Sequence, residues 1–172
     1  SFNARSFEQD PHLVELSTYP NVVDGAELKE RIGDVSKPYE ADLYYRDDEH
    51  ERRVEAADYA LYRESLALEQ IPQQVEVKFG LVLARTNMRS WPTRDFVIRS
   101  PDTRDLDRFQ ENGLFPGDML AVLHTSADKQ WSFVQSYNYT AWVRSEDIAI
   151  GDRDVILEYR NQDRFLVITG AK

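Results

Sequence analysis

From Leu81 onward the chain is a succession of short apolar runs cut by turn residues, and few folds other than a small all-β module accept that pattern. Leu81-Val82-Leu83-Ala84 reads as a strand that enters Arg85 to Thr93, where Pro92 stops regular pairing. Ser100 to Pro116 reads as a long loop, with Pro101, Asp102, Asp105, Asp107 and Asn112-Gly113 in it. Gly117-Asp118 turns the chain into a strand over Met119 to Thr125, and Ser126 to Gln130 turns it again into Trp131 to Ser136. A tight loop at Tyr137-Asn138-Tyr139 leads to Ala141-Trp142-Val143, and Ser145 to Ile148 reads as one helical turn. One long early loop with tight later turns predicts a small five-stranded barrel.

The chain before Gly80 has a different character. Charged residues are dense there and β-branched residues sparse. Asp24-Gly25-Ala26-Glu27, followed by Leu28 and Ile32, predicts a capped helix that Gly33 ends. Val54, Ala57, Leu61 and Leu68 recur at roughly helical spacing, which predicts one or two short helices between Glu49 and Leu68. Pro38, Pro72 and the polar run Tyr44 to Glu51 make the segment irregular. After Gly151, the runs Val155-Ile156-Leu157 and Phe165 to Ile168, joined through Asn161-Gln162-Asp163, predict a hairpin. Domain expectations follow: a stabilising segment over 1–79, a barrel over 80–150, and a terminal hairpin over 151–172.

Composition excludes several functions. The net charge is −10, nearly all of it carried by residues 1–80, and neither half has a basic stripe; a phosphate backbone is therefore a poor partner, and so is anionic lipid. No apolar run is long enough to span a bilayer. With no cysteine there is no thiolate nucleophile and no cysteine metal site. His12, His50 and His124 belong to no metal-ligand spacing. His124 lies close to Ser126 and Asp128 in sequence, but neighbours on one strand point to opposite faces, so the proximity does not make a triad. Asp102, Asp105 and Asp107 lack the glycine and terminal glutamate of a calcium loop, and Arg104 and Arg108 offer them local ion pairs instead. No metal and no cofactor is expected.

Several stretches are similar to bacterial SH3-like domains. Asn87-Met88-Arg89-Ser90-Trp91-Pro92-Thr93 resembles that family's LNVRSGPS opening. Gly117-Asp118, Trp131 to Val134 and Ala141-Trp142-Val143 resemble its glycine turn, its WxxV strand and its GWV strand, with Ala141 where glycine is usual. Asp107 to Gln110, Leu123 to Asp128 and Glu146 to Ala149 look like the first SH3-like domain of the NlpC-type cell-wall cysteine peptidases. The likeness is good over Phe79 to Ile150 and weak before it. It implies a mainly β fold, an SH3-like barrel behind an irregular, partly helical N-terminal extension (α+β overall), with residues 151–172 a hairpin or the start of a further SH3-like domain.

In that family a stabilising segment precedes two SH3-like domains and a catalytic domain that cleaves between γ-D-glutamate and a diamino acid in murein peptides. The resemblance therefore implies a non-catalytic substrate-positioning or cell-wall-targeting region, whose partners are the murein stem peptide and a cysteine-peptidase domain in cis or trans. It further implies a periplasmic or cell-envelope location after removal of an export signal, with cytoplasmic peptide recycling as the other possibility. A stand-alone module that binds cell-wall peptide or a protein partner is the alternative, and an independent hydrolase is disfavoured by the missing cysteine.

The aromatic residues are the stronger lead to a ligand. Trp131 and Trp142 belong in strands and so in the core, whereas Trp91, Tyr137 and Tyr139 fall in loops. An exposed Tyr137-Asn138-Tyr139 tip beside an acidic loop makes a groove for a peptide with a free amine. In the related peptidases the first SH3-like domain uses an acid and a tyrosine to recognise the amino end of the stem peptide. Carried over, the acid is Asp105 or Asp107 and the tyrosine Tyr137 or Tyr139, with Asn138 and Trp91 beside them.

Overall fold

The computed structural model describes residues 13–46 and 52–162. His12, His50, part of the acidic run after Arg46 and the apolar run Phe165 to Ile168 lie outside them.

The short apolar runs pair into one antiparallel sheet. Its strands are β4 (Lys78–Val82), β5 (Thr86–Arg89), β7 (Gln110–Leu114), β8 (Met119–Thr125), β9 (Trp131–Gln135), β10 (Thr140–Arg144) and β11 (Ile148–Gly151). Their order is β11-β4-β8-β9-β10-β5-β7. The outermost strands, β11 and β7, do not pair with each other among the described residues, so this SH3-like sheet is not a closed barrel. Four smaller strands form two separate pairs: β1 (Val22–Asp24) with β3 (Gln74–Glu76), and β2 (Tyr44–Tyr45) with β6 (Val97–Ile98). The β2–β6 pair stitches the N-terminal part to the segment that follows β5.

Both faces of the central strands are buried, which explains why they read as continuous apolar runs rather than as alternation. Along β8, Met119, Ala121 and Leu123 point into one core and Leu120 and Val122 into another. Along β10, Trp142 joins the first core while Ala141 and Val143 join the second. The second core is aliphatic apart from Met88 and draws a side chain from each strand of the sheet. The first is aromatic, holding Trp91, Phe109, Trp131, Phe133 and Trp142, and it is closed by the N-terminal part through Leu16, Tyr19, Leu28, Ile32, Tyr59 and Tyr62.

Local chemistry explains how that cover forms. Helix α1 (Gly25–Val35) starts where the Asp24 carboxylate accepts from the N–H groups of Ala26 at 2.8 Å and Glu27 at 3.1 Å. Leu28 and Ile32, one turn apart, are buried beneath it. Gly25 is required by its neighbour: a Cβ there would lie 1.9 Å from the carbonyl oxygen of Pro72. Gly33 does not end the helix, which runs on to Val35, with the Ser36 N–H returning to Ile32. Arg31 docks the helix on the sheet by donating to Gln135 Oε1 at 2.6 Å and Thr140 Oγ1 at 3.1 Å. Ser36 closes the contact: its hydroxyl donates to the Ser90 carbonyl at 2.7 Å and accepts from the Trp142 indole at 3.1 Å.

Helix α2 (Ala56–Ser65) begins with a capping box between Glu55 and Asp58. It buries Tyr59 and Tyr62 rather than the expected Ala57 and Leu61, and Leu61 is 64% exposed. The tyrosines prevail because their rings pack within 5.7 Å of Trp91 while their hydroxyls keep partners: Tyr59 with the Tyr39 N–H, and Tyr62 with Asp95 at 2.5 Å.

Two further expectations are corrected. Residues Arg153–Arg160 form helix α3, not the first arm of a hairpin. Asp152 caps it by accepting from Asp154 N–H at 2.9 Å, and of the apolar triplet only Ile156 is buried, with Val155 62% exposed. The loop expected over Ser100 to Pro116 contains β7, which pairs with β5 in the register Thr86↔Leu114 and Met88↔Asn112 and shifts by a bulge at Arg89. Gly117, at φ +90°, then makes the turn into β8.

Candidate functional site

The Tyr137-Asn138-Tyr139 tip is held from beneath by Ser136, which is fully buried. The Ser136 N–H donates to the Tyr139 carbonyl at 2.8 Å, and the Ser136 hydroxyl accepts from the Tyr139 N–H at 3.0 Å. Asn138 accepts from Asn112 Nδ2 at 3.4 Å, which ties the tip to β7. These bonds fix the direction in which Tyr139 leaves the turn. Its hydroxyl donates to Glu111 Oε2 at 2.7 Å. Burial, and then the hydrogen bond to this carboxylate and its charge, push the Tyr139 hydroxyl up to about 12.

Glu111 is exposed and also lines a cavity of about 520 Å3 between β7 and the segment that follows α1. Tyr39, Glu40, Arg99, Arg108 and Phe109 contribute to its walls. The arrangement offers a carboxylate acceptor oriented by a tyrosine at the edge of a concavity, with the exposed ring of Tyr39 beside it, among the cationic Lys37, Arg99 and Arg108 and the acidic Glu40.

The residues expected from the sequence are placed as follows. Tyr139 is at this site, and Asn138 supports it. Tyr137 is half-buried, and its carbonyl accepts from the Val14 N–H at 2.7 Å. Asp105 is exposed in its loop and does not line the cavity. Asp107 is buried, so it is not open to ligand. It pairs with Arg89 at 2.7 Å and accepts from the N–H groups of Phe109 at 3.0 Å and Val97 at 3.3 Å. Trp91 is likewise wholly buried, between Tyr59 and Tyr62, and presents no surface to a ligand. Both residues are structural: the sequence marks them as loop residues, but Trp91 is covered by α2 of the N-terminal part and Asp107 is enclosed with Arg89, Val97 and Phe109.

The acid beside the tyrosine is thus Glu111, which sequence reasoning missed. It lay inside the supposed long loop, and only the pairing of β7 with β5 brings it to the tip. Glu111 is the second residue of the polar strand Gln110–Leu114, whose composition carries no strand signal.

His124, Ser126 and Asp128 do not form a triad. His124 donates from Nε2 to the Leu66 carbonyl at 2.9 Å and stacks edge-on against Trp142, while burial lowers its pKa. Ser126 turns away into its own hairpin and donates to Asp128 at 2.6 Å. Among the described residues no three His, Cys, Asp or Glu side chains are grouped to hold a metal.

Comparison with known proteins agrees with this architecture. No curated protein matches the chain. The solved structure of a novel NlpC/P60 endopeptidase from Photobacterium damselae subsp. piscicida is similar, with a TM-score of 0.63 and 19% identity, covering 85% of this chain and 35% of that one. The chain therefore spans about a third of that protein's length. Residues 98–144 match the SH3 domain family of the SH3b1 type, inside the stretch on which the resemblance to NlpC-type peptidases rests. Residues 98–144 are thus similar to an SH3 domain of the SH3b1 type, within a fold the chain shares with an NlpC/P60 endopeptidase.

Proposed function

We propose that this chain is the non-catalytic, substrate-positioning region of a murein γ-D-glutamyl-L-diamino acid endopeptidase. The observation that carries the reading is the Glu111–Tyr139 hydrogen bond of 2.7 Å at the edge of a cavity. In this reading the Glu111 carboxylate receives the free amino end of a murein stem peptide, and Tyr139 fixes the carboxylate through its hydroxyl. A peptide whose amino end is acylated brings no ammonium charge to the carboxylate and offers a single neutral amide N–H in its place, a weaker partner. Selection is therefore for stem peptides already released from their glycan.

Two facts support the assignment. Residues 98–144 are similar to an SH3 domain of the SH3b1 type, in a fold shared with an NlpC/P60 endopeptidase, and the chain covers only part of that neighbour's length. The sequence itself has no cysteine to act as nucleophile. The catalytic cysteine and its partners would come from a peptidase domain in cis or in trans, acting in the cell envelope or on recycled peptides.

The test is hydrolysis by the complete enzyme of a stem tripeptide and its N-acetylated form. Glu111→Gln should lower kcat/KM for the free peptide by about 10–100-fold, the loss of a hydrogen bond to a charged group, and leave the acetylated peptide unchanged. Equal effects on both peptides would overturn the proposal.

A further inference from the structure

A second concavity lies away from Glu111. Arg89 and Ser90 are successive in the chain, yet Ser90 lines the cavity described above and Arg89 lines this one. It consists of two adjoining hollows of about 300 and 240 Å3 that share Arg94, Trp131 and Arg144. Arg85 at the start of β5 and Lys129 in the β8–β9 turn add further positive charge. Opposing them are Glu146 and Asp147, and the latter is engaged by the Thr86 hydroxyl at 2.6 Å. On a chain of net charge −10, this cleft is locally cationic.

Two of its arginines have unused donors. Arg89 is 7% exposed; its Nη1 binds Asp107 and its Nη2 the Asp95 carbonyl, but its Nε is buried without a partner. The Arg144 Nε is also buried without a partner among the described residues. Both Nε atoms are closed to solvent, so the donors a ligand in the cleft can reach are the outer guanidinium nitrogens of Arg144, 36% exposed, and Arg94, 66% exposed. The protein itself engages these in part. Glu146, 59% exposed, reaches Arg144 and lies 3.4 Å from Arg94, so a carboxylate already bridges the two guanidiniums from the solvent side.

We propose that this cleft is a binding site for a carboxylate on a small peptide-like ligand, in competition with the protein's own Glu146. Guanidinium forks suit a planar carboxylate, and an internal carboxylate held only at the surface is easily displaced. The inference is independent of the amine-binding site at Glu111.

The test uses glutarate, which carries carboxylates and no amine, and its neutral counterpart glutaramide. Arginine Nε–H resonances of the whole chain are followed by NMR during titration. Glutarate should shift the Arg94 and Arg144 signals, more weakly as salt is raised, and glutaramide should not. Arg144→Gln and, separately, Arg94→Gln should weaken binding by about tenfold or more, with unchanged backbone spectra showing that each variant is folded. Glu146→Gln should strengthen binding by about two- to fivefold, because the internal competitor has lost its charge. Equal response to glutaramide, undiminished binding in both arginine variants, or weaker binding in Glu146→Gln would each overturn the assignment. Equal displacement of glutarate by inorganic phosphate would overturn its carboxylate specificity.

Discussion

Replacing Asp107 should unfold this protein far more readily than replacing any exposed acid. Its carboxylate is 4% exposed and the Arg89 side chain 9%, so neither charge is offset by water if the other is removed. One oxygen meets the Arg89 guanidinium at 2.7 Å, and the other accepts from the N–H groups of Phe109 and Val97. Asp107→Asn keeps an oxygen for those N–H groups but leaves the arginine buried without its counter-charge, at a cost of about 3–5 kcal/mol. Asp107→Ala also strands the two N–H groups, which adds about 1–3 kcal/mol. The total approaches the whole stability expected of a domain, about 5–15 kcal/mol. The assay is urea unfolding followed by the fluorescence of the three buried tryptophans. With a slope near 2 kcal/mol/M, Asp107→Asn should lower the midpoint by about 1.5–2.5 M. A shift under about 0.5 M would refute the reasoning, because it would mean that the pair is solvated in solution.

Three other outcomes follow from the same structure. In Glu111→Gln the titration of Tyr139, read by NMR at its ring carbon, should move down from about 12 but stay above the ordinary tyrosine value, because burial is the larger cause and remains. His124 titrates lower in the fold than in the unfolded chain because burial disfavours its charged form. The unfolded chain then takes up the proton first, so stability should fall as pH drops from about 6.5 towards the folded value, and His124→Gln should remove that part of the slope in pH-dependent unfolding. Asp24→Ala should cost about 1 kcal/mol in urea unfolding, as loss of a cap that serves two N–H groups.

The sheet was legible where both faces of a strand are buried. Met119 to Leu123, Trp131 to Val134 and Ala141 to Val143 are apolar but for Ser132, and each lies in a strand. The Asp24 cap was legible because capping is a local matter. What failed depended on what lies above or across from a residue. Val155-Ile156-Leu157 has the β-branched composition of a strand, but it follows a capping Asp152 and docks a single side, so it winds into α3. Leu61 has the right spacing for the core, yet Tyr59 and Tyr62 win because their rings meet Trp91 and their hydroxyls find partners. Polar Gln110–Leu114 gave no strand signal, so β7, and Glu111 with it, became visible only through its pairing with β5. Tyr139 could be named from the turn alone, but an acid 28 positions away could not.

The account rests most directly on whether the Glu111–Tyr139 site receives a free amino end. The decisive measurement is a backbone amide NMR titration of this chain with L-alanyl-γ-D-glutamate and with its N-acetylated form. The free dipeptide should shift resonances at Glu111, Asn138 and Tyr139, and the acetylated form should leave them in place. Equal shifts from both peptides, or none from either at millimolar concentration, would contradict the account.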